Sequence, residues 1–183
     1  MKLLSIDPGF KRFGYCVFNE NAEIVEHGIY STRERKKDEK YQAYLNSGIY
    51  DMYHWFGDLL EEKQITEIIS EIVPPISGKG NFGVSPQVPL VLSVMAVCKL
   101  MAYEDEIEWI DISARSVKSI LTGDSSVSKA IMRRLVIEEY PEIVKGRKLT
   151  DIPFDETDAI SVGMSYFSQF HFENRGKNEE KEN

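Results

Sequence analysis

Short apolar runs fill much of the first thirty residues, and apolar positions then recur at three-to-four spacing, so the chain turns early from strand to helix. Residues 2–7, 14–19 and 23–31 read as three short β-runs separated by Gly9, Gly14 and "NENA", close enough together to form hairpins. Helical spacing follows "RERKKDEK": Tyr41, Tyr44 and Leu45, then Met52, Trp55, Phe56, Leu59 and Leu60, with Gly48 as an expected interruption. "ITEIISEIV" at 65–73 is rich in β-branched residues and stops at Pro74-Pro75, which predicts a strand. A loop, "ISGKGNFGVSP", leads to an apolar helix from about 86 to 103 and a fifth strand at 107–112. Helices are expected over 113–121, 126–140 and 155–170. Three hairpin-linked strands followed by strands alternating with helices predict an α/β domain built on a mixed five-stranded sheet, three strands antiparallel and the rest parallel, flanked by helices.

A chain of 183 residues suits one domain, placed at 1–170, with an acidic tail at 171–183 whose composition predicts disorder. Cys16 and Cys98 both lie in apolar runs and read as core thiols in a reducing compartment, by default the cytoplasm. The longest apolar stretch, 88–98, is shorter than the roughly 20 residues that cross a bilayer. A net charge of −8 argues against whole-surface attraction to polyanions. Between 112 and 150, however, Arg115, Lys118, Lys129, Arg133, Arg134, Lys145, Arg147 and Lys148 outnumber the acids by four, enough for a local phosphate-facing surface. "RERKKDEK" reads as a solvated face, with contact to phosphates as the alternative, and His27, His54 and His171 lack metal-ligand spacing.

Acids stand where packing alone would not ask for them. Asp7 ends the first apolar run, Glu71 sits late in "IISEIVPP", and "DETDAISVGM" places Asp155 and Asp158 three apart at a helix start. If the first and fourth strands are parallel neighbours, Asp7 and Glu71 emerge at one sheet edge. Four carboxylates gathered without basic partners repel unless hard divalent cations sit among them, and Mg²⁺ or Mn²⁺ matches oxygen ligands. Such a cluster suits two-metal phosphodiester hydrolysis. The structural alternatives are a helix cap made by Asp155 and Asp158, Glu67 in place of Glu71, and a simple turn at Asp7.

Taken together, "IDPGFKRFGYCVF", the acid in "IISEIVPP" and "DETDAISVGM" resemble, in order and spacing, the RuvC family of Holliday junction resolvases within the RNase H-like fold, over about residues 3–168. A bacterial, viral or organellar branch of that family would fit. The resemblance implies catalytic and metal-holding roles for Asp7, Glu71, Asp155 and Asp158, two Mg²⁺ ions per site with Mn²⁺ as substitute, and a homodimer joined through the apolar helix. "SARSVKSILTGDSSVSKAIMRRLV" matches the family's basic segment, with Lys118 and Lys129 at the lysine positions and Lys129 also catalytic; Arg115 and Arg133 join them as expected DNA contacts. Lys79 and Phe82 are the candidates to meet the branch point. The implied activity is paired, symmetric nicking of four-way DNA junctions in recombination or repair, in whichever compartment holds the DNA. The alternatives are a nuclease of the same fold acting on forks, flaps or RNA, and a non-catalytic junction-binding protein. Similarity of "IDPGFKRFG" to the phosphate loop of actin-like ATPases is set against a chain too short for their second domain.

Overall fold

The computed structural model describes residues 1–72 and 88–179, with side chains as far as 169. Lys79 and Phe82, the expected branch-point residues, lie outside the described residues, as does the side chain of His171.

Three antiparallel strands open the chain, β1 (Lys2–Asp7), β2 (Arg12–Asn19) and β3 (Ile24–Ser31). Helix α1 (Tyr41–Lys63) leads to β4 (Glu67–Glu71), and α2 (Val88–Glu104) to β5 (Glu108–Ile112). Helices α3 (Ala114–Thr122), α4 (Lys129–Glu139) and α5 (Phe154–Glu179) follow. The sheet order is β3-β2-β1-β4-β5, with β4 parallel to both β1 and β5, which is the mixed arrangement the pattern predicts. Helix α5 carries on past 170, through part of the stretch expected to lie outside the domain.

Side chains alternate across the pleat, so each strand feeds two cores. Leu4, Ile6, Phe13, Val17 and Ile68 pack under α1 and α2; Leu3, Cys16, Phe18, Ile69 and Ile112 pack under α3, α4 and α5. Both cysteines are buried free thiols, and burial pushes Cys98 up to about 12. Among the described residues no helix is long and apolar enough to cross a membrane.

Two glycines work differently from the expectation. Gly48 does not interrupt α1; it is buried within the helix, where a β-carbon would stand 2.8 Å from the Phe10 ring. The helix thereby closes over the β1–β2 turn. Gly14 does not separate strands either: β2 begins at Arg12, and Gly14 lies inside it, directly opposite Asp7.

Candidate active site

The parallel register of β1 and β4 pairs Ile6 with Ser70, so the next residues, Asp7 and Glu71, leave the sheet side by side at its C-terminal edge. Strand parity puts both on the α5 face. Ser5, in phase with Asp7, donates its hydroxyl to the Ala159 carbonyl of α5 at 2.7 Å, and Ile69, in phase with Glu71, belongs to the core beneath α5. Glu67 shares that face but stands at the other end of β4, where the Tyr166 hydroxyl donates to it. The rival acid is therefore a full strand length from Asp7.

Helix α5 starts over this edge because Gly14 admits it: a β-carbon at Gly14 would lie 2.0 Å from the Asp155 carbonyl oxygen. Asp155 is not the helix cap that stood as the structural alternative for it. It lies one residue inside α5, whose first residue is Phe154, and accepts from Arg12 Nε at 2.7 Å. Asp158, one turn on, accepts from Lys129 Nζ. The expectation of four acids without basic partners is thus corrected, since both α5 acids have one. Among the described residues, Asp7 and Glu71 have none.

The electrostatics follow from that division. Burial, reinforced by Glu71 and Asp158, pushes Asp7 up to about 8, against the pull of Lys129. Glu71 is raised by burial and then by Asp158; Asp158 is raised by burial although its bond to Lys129 opposes the rise. Lys129 is itself raised: burial favours its neutral form, but the bond to Asp158 and the charges of Asp7 and Glu71 outweigh it. Its ammonium sits in the combined field of three carboxylates.

Among the described residues no three acid, histidine or cysteine groups close into a ready metal-ligand set. Arg12 and Lys129 hold one α5 acid each, which leaves Asp7 and Glu71 without an ion-pair partner among the described residues and with raised carboxyls. An all-oxygen donor set with two such acids suits a hard divalent cation, whose charge would favour their ionised forms. The positive ends of α3, α4 and α5 meet at the same edge, the first two capped by Ser113 and Ser128. Glu71, Lys118, Lys129, Asp158 and Ser161 line a small cleft there, of about 90 Å³. A larger hollow of about 510 Å³, between α1 and α2, holds none of the expected site residues.

Asp7, Glu71, Asp155, Asp158, Lys118 and Lys129 are therefore brought together. Two expected DNA contacts are not: Arg115 is exposed on α3 outside the cleft, and the Arg133 guanidinium stacks 3.6 Å over the Phe154 ring, joining α4 to α5. Sequence reasoning passed over Arg12 and Glu156 and read Gly14 only as a strand break. Glu156, beside Asp155, is buried and accepts from Arg147 through both oxygens, at 2.7 and 2.8 Å, with His27 Nδ1 at 2.7 Å.

No model of a known protein family matches the chain. A RuvC crossover junction endodeoxyribonuclease from Prochlorococcus marinus strain AS9601 is 23% identical over 182 residues, covering 94% of this chain and 99% of the relative. Among solved structures, Thermus thermophilus RuvC in complex with Holliday junction substrate aligns with a TM-score of 0.69 at 13% identity, covering 94% of this chain and 96% of that one. The chain is thus similar to RuvC resolvases along nearly its whole length. The yeast mitochondrial Holliday junction resolvase shares the fold as well, with a TM-score of 0.63 at 19% identity over 96% of this chain and 83% of its own. The RNase H-like architecture expected from the motif series is the one observed.

Proposed function

We propose that this protein is a divalent-metal-dependent endonuclease that resolves four-way DNA junctions by paired symmetric nicks. One observation carries the reading: Asp7 and Glu71, on adjacent parallel strands, share a face and an edge with Asp158 of α5, in a chain related to RuvC along nearly its whole length. Asp7, Glu71, Asp155 and Asp158 would hold the metal, two Mg²⁺ ions with Mn²⁺ as substitute. When bound, such ions activate water and stabilise the charge that builds up in phosphodiester hydrolysis.

The chain's own residues have separable tasks. Lys129 neutralises the acids in the free protein and, released from Asp158, turns its ammonium to the scissile phosphate. Lys118 approaches the same phosphate from α3, and the converging helix starts favour its negative charge. The products are 5′-phosphate and 3′-hydroxyl ends. Dimerisation through α2 is supported by the stripe of Leu92, Leu100 and Tyr103, exposed by 52%, 57% and 82%, and a two-fold dimer matches a junction with two-fold related arms.

The test compares a labelled four-way junction with a linear duplex of the same sequence, in Mg²⁺ or EDTA, using wild type and Asp7→Asn. Symmetric nicks only in the junction, lost in EDTA and in the variant, are expected. Cleavage of forks, flaps or RNA in preference would move the reading to a broader nuclease, and binding without cleavage to a junction-binding protein.

A further inference from the structure

Residues 32–40 leave β3 at the edge that carries Asp7. Arg12 pairs with Ser31 across β2 and β3, and the Thr32 amide donates to the Lys11 carbonyl at 3.2 Å, which ties the segment to the β1–β2 turn. With neighbouring strands about 4.8 Å apart, it departs roughly 10 Å from Asp7, on the side of the sheet away from Lys118 and Lys129.

A clasp gives the segment its shape. Arg33 bonds Glu39 through both nitrogens, at 2.8 and 2.5 Å, and donates to Ser47 of α1 at 2.7 Å, while the Lys36 amide donates to the same Glu39 at 3.2 Å. The guanidinium of Arg35 stands 5.8 Å over the exposed Tyr41 ring. The clasp spends Arg33 against Glu39, and Arg12 is spent against Asp155. Lys11, Arg35, Lys36, Lys37 and Lys40 remain, all exposed, against Glu34 and Asp38. Among the described residues none of these five has an ion pair. In a chain with net charge −8, that is a strong local excess of positive charge beside the carboxylates.

The geometry points to the 32–40 segment as a second contact for the DNA phosphate backbone, flanking the cut site opposite α3 and α4. It rests on the nuclease reading above and extends it: a duplex arm leaving the carboxylate edge is held from both sides, Lys118 and Lys129 near the scissile phosphate and Arg35, Lys37 and Lys40 further along the arm. These contacts carry no sequence information; they add affinity and orientation.

The experiment measures anisotropy of a labelled four-way junction in EDTA across a salt series. For the triple variant Arg35→Gln, Lys37→Gln, Lys40→Gln, the slope of log affinity against log salt is expected to become shallower by about 2–3, roughly one for each phosphate no longer neutralised. Arg35→Lys, Lys37→Arg, Lys40→Arg keeps the wild-type slope. Lys2→Gln with Lys63→Gln, at the opposite end of the sheet, leaves it unchanged. An unaltered slope in the glutamine triple, or an equally shallow slope in the Lys2 and Lys63 variant, overturns the inference while leaving the nuclease reading intact. Absence of junction binding by wild type would count against the nuclease reading itself.

Discussion

Gly14 meets Asp155 at the point where β2 passes beneath the start of α5, and the 2.0 Å left for a β-carbon admits no side chain. Because Gly14 is also the ladder partner of Asp7, the contact sets how near the α5 acids come to the strand acids. Gly14→Ala must push α5 outward. Overpacking of this kind destabilises by about 1–3 kcal/mol, and misplacing a reacting group by about 1 Å can lower activity about 100-fold. Junction nicking measured well below the melting temperature is expected to fall about that far, with the melting temperature lowered by several degrees. Near-wild-type nicking would mean that α5 is not held by this contact.

Asp7→Asn has a second consequence besides loss of cleavage. Without metal, the Asp7 carboxyl is raised from 3.8 to about 8, by burial first and then by Glu71 and Asp158. The folded chain therefore keeps a proton that the unfolded chain gives up, and wild-type stability is eroded as pH climbs from about 4 to 8. Asparagine does not titrate. In EDTA the variant is expected to be more stable than wild type by at least about 1 kcal/mol at pH 8, or about 2–4 °C, with a smaller gain at pH 5. Thermal melts at the two pH values check it; a gain that shrinks with rising pH contradicts the sign.

Lys129→Met removes the ammonium that Asp158 holds in the free protein. Divalent cations then no longer compete with it, while the scissile phosphate loses a partner. Mn²⁺ affinity by calorimetry is expected to tighten about tenfold, equivalent to about 1.4 kcal/mol, and nicking to drop by two orders of magnitude or more. Weaker Mn²⁺ binding would show that Lys129 organises the acids rather than competing for them.

The strand acids were legible because β1 and β4 are short, continuously buried runs, and charges at the ends of such runs stand out. Choosing Glu71 over Glu67 required the pairing of the two strands, since both acids lie on the same face of β4 and only the direction of β1 distinguishes the ends. Arg12 and Asp155 are 143 positions apart, and no local pattern announces their bond. Gly14 and Gly48 read as breaks because glycine usually is one; their purpose here, admitting α5 and the Phe10 ring, exists only in the packed structure.

Glu156 tests how firmly the start of α5 is anchored. Burial alone would raise its carboxyl, but the bonds from Arg147 and His27 bring it down from 4.5 to about 2. Its folded value is depressed, so the stabilisation is complete above about pH 4.5 and is lost as pH falls towards 2. Arg147→Ala leaves a buried carboxylate with His27 as its one remaining side-chain partner, and breaking a buried pair in this way costs about 3 kcal/mol at neutral pH. Acid then protects the variant, because protonation removes the uncompensated charge. The stability difference between wild type and Arg147→Ala is therefore expected to be largest near pH 7 and to narrow below about pH 4, measured by urea unfolding across that range. A difference independent of pH would place the contribution of Arg147 in packing rather than in its charge.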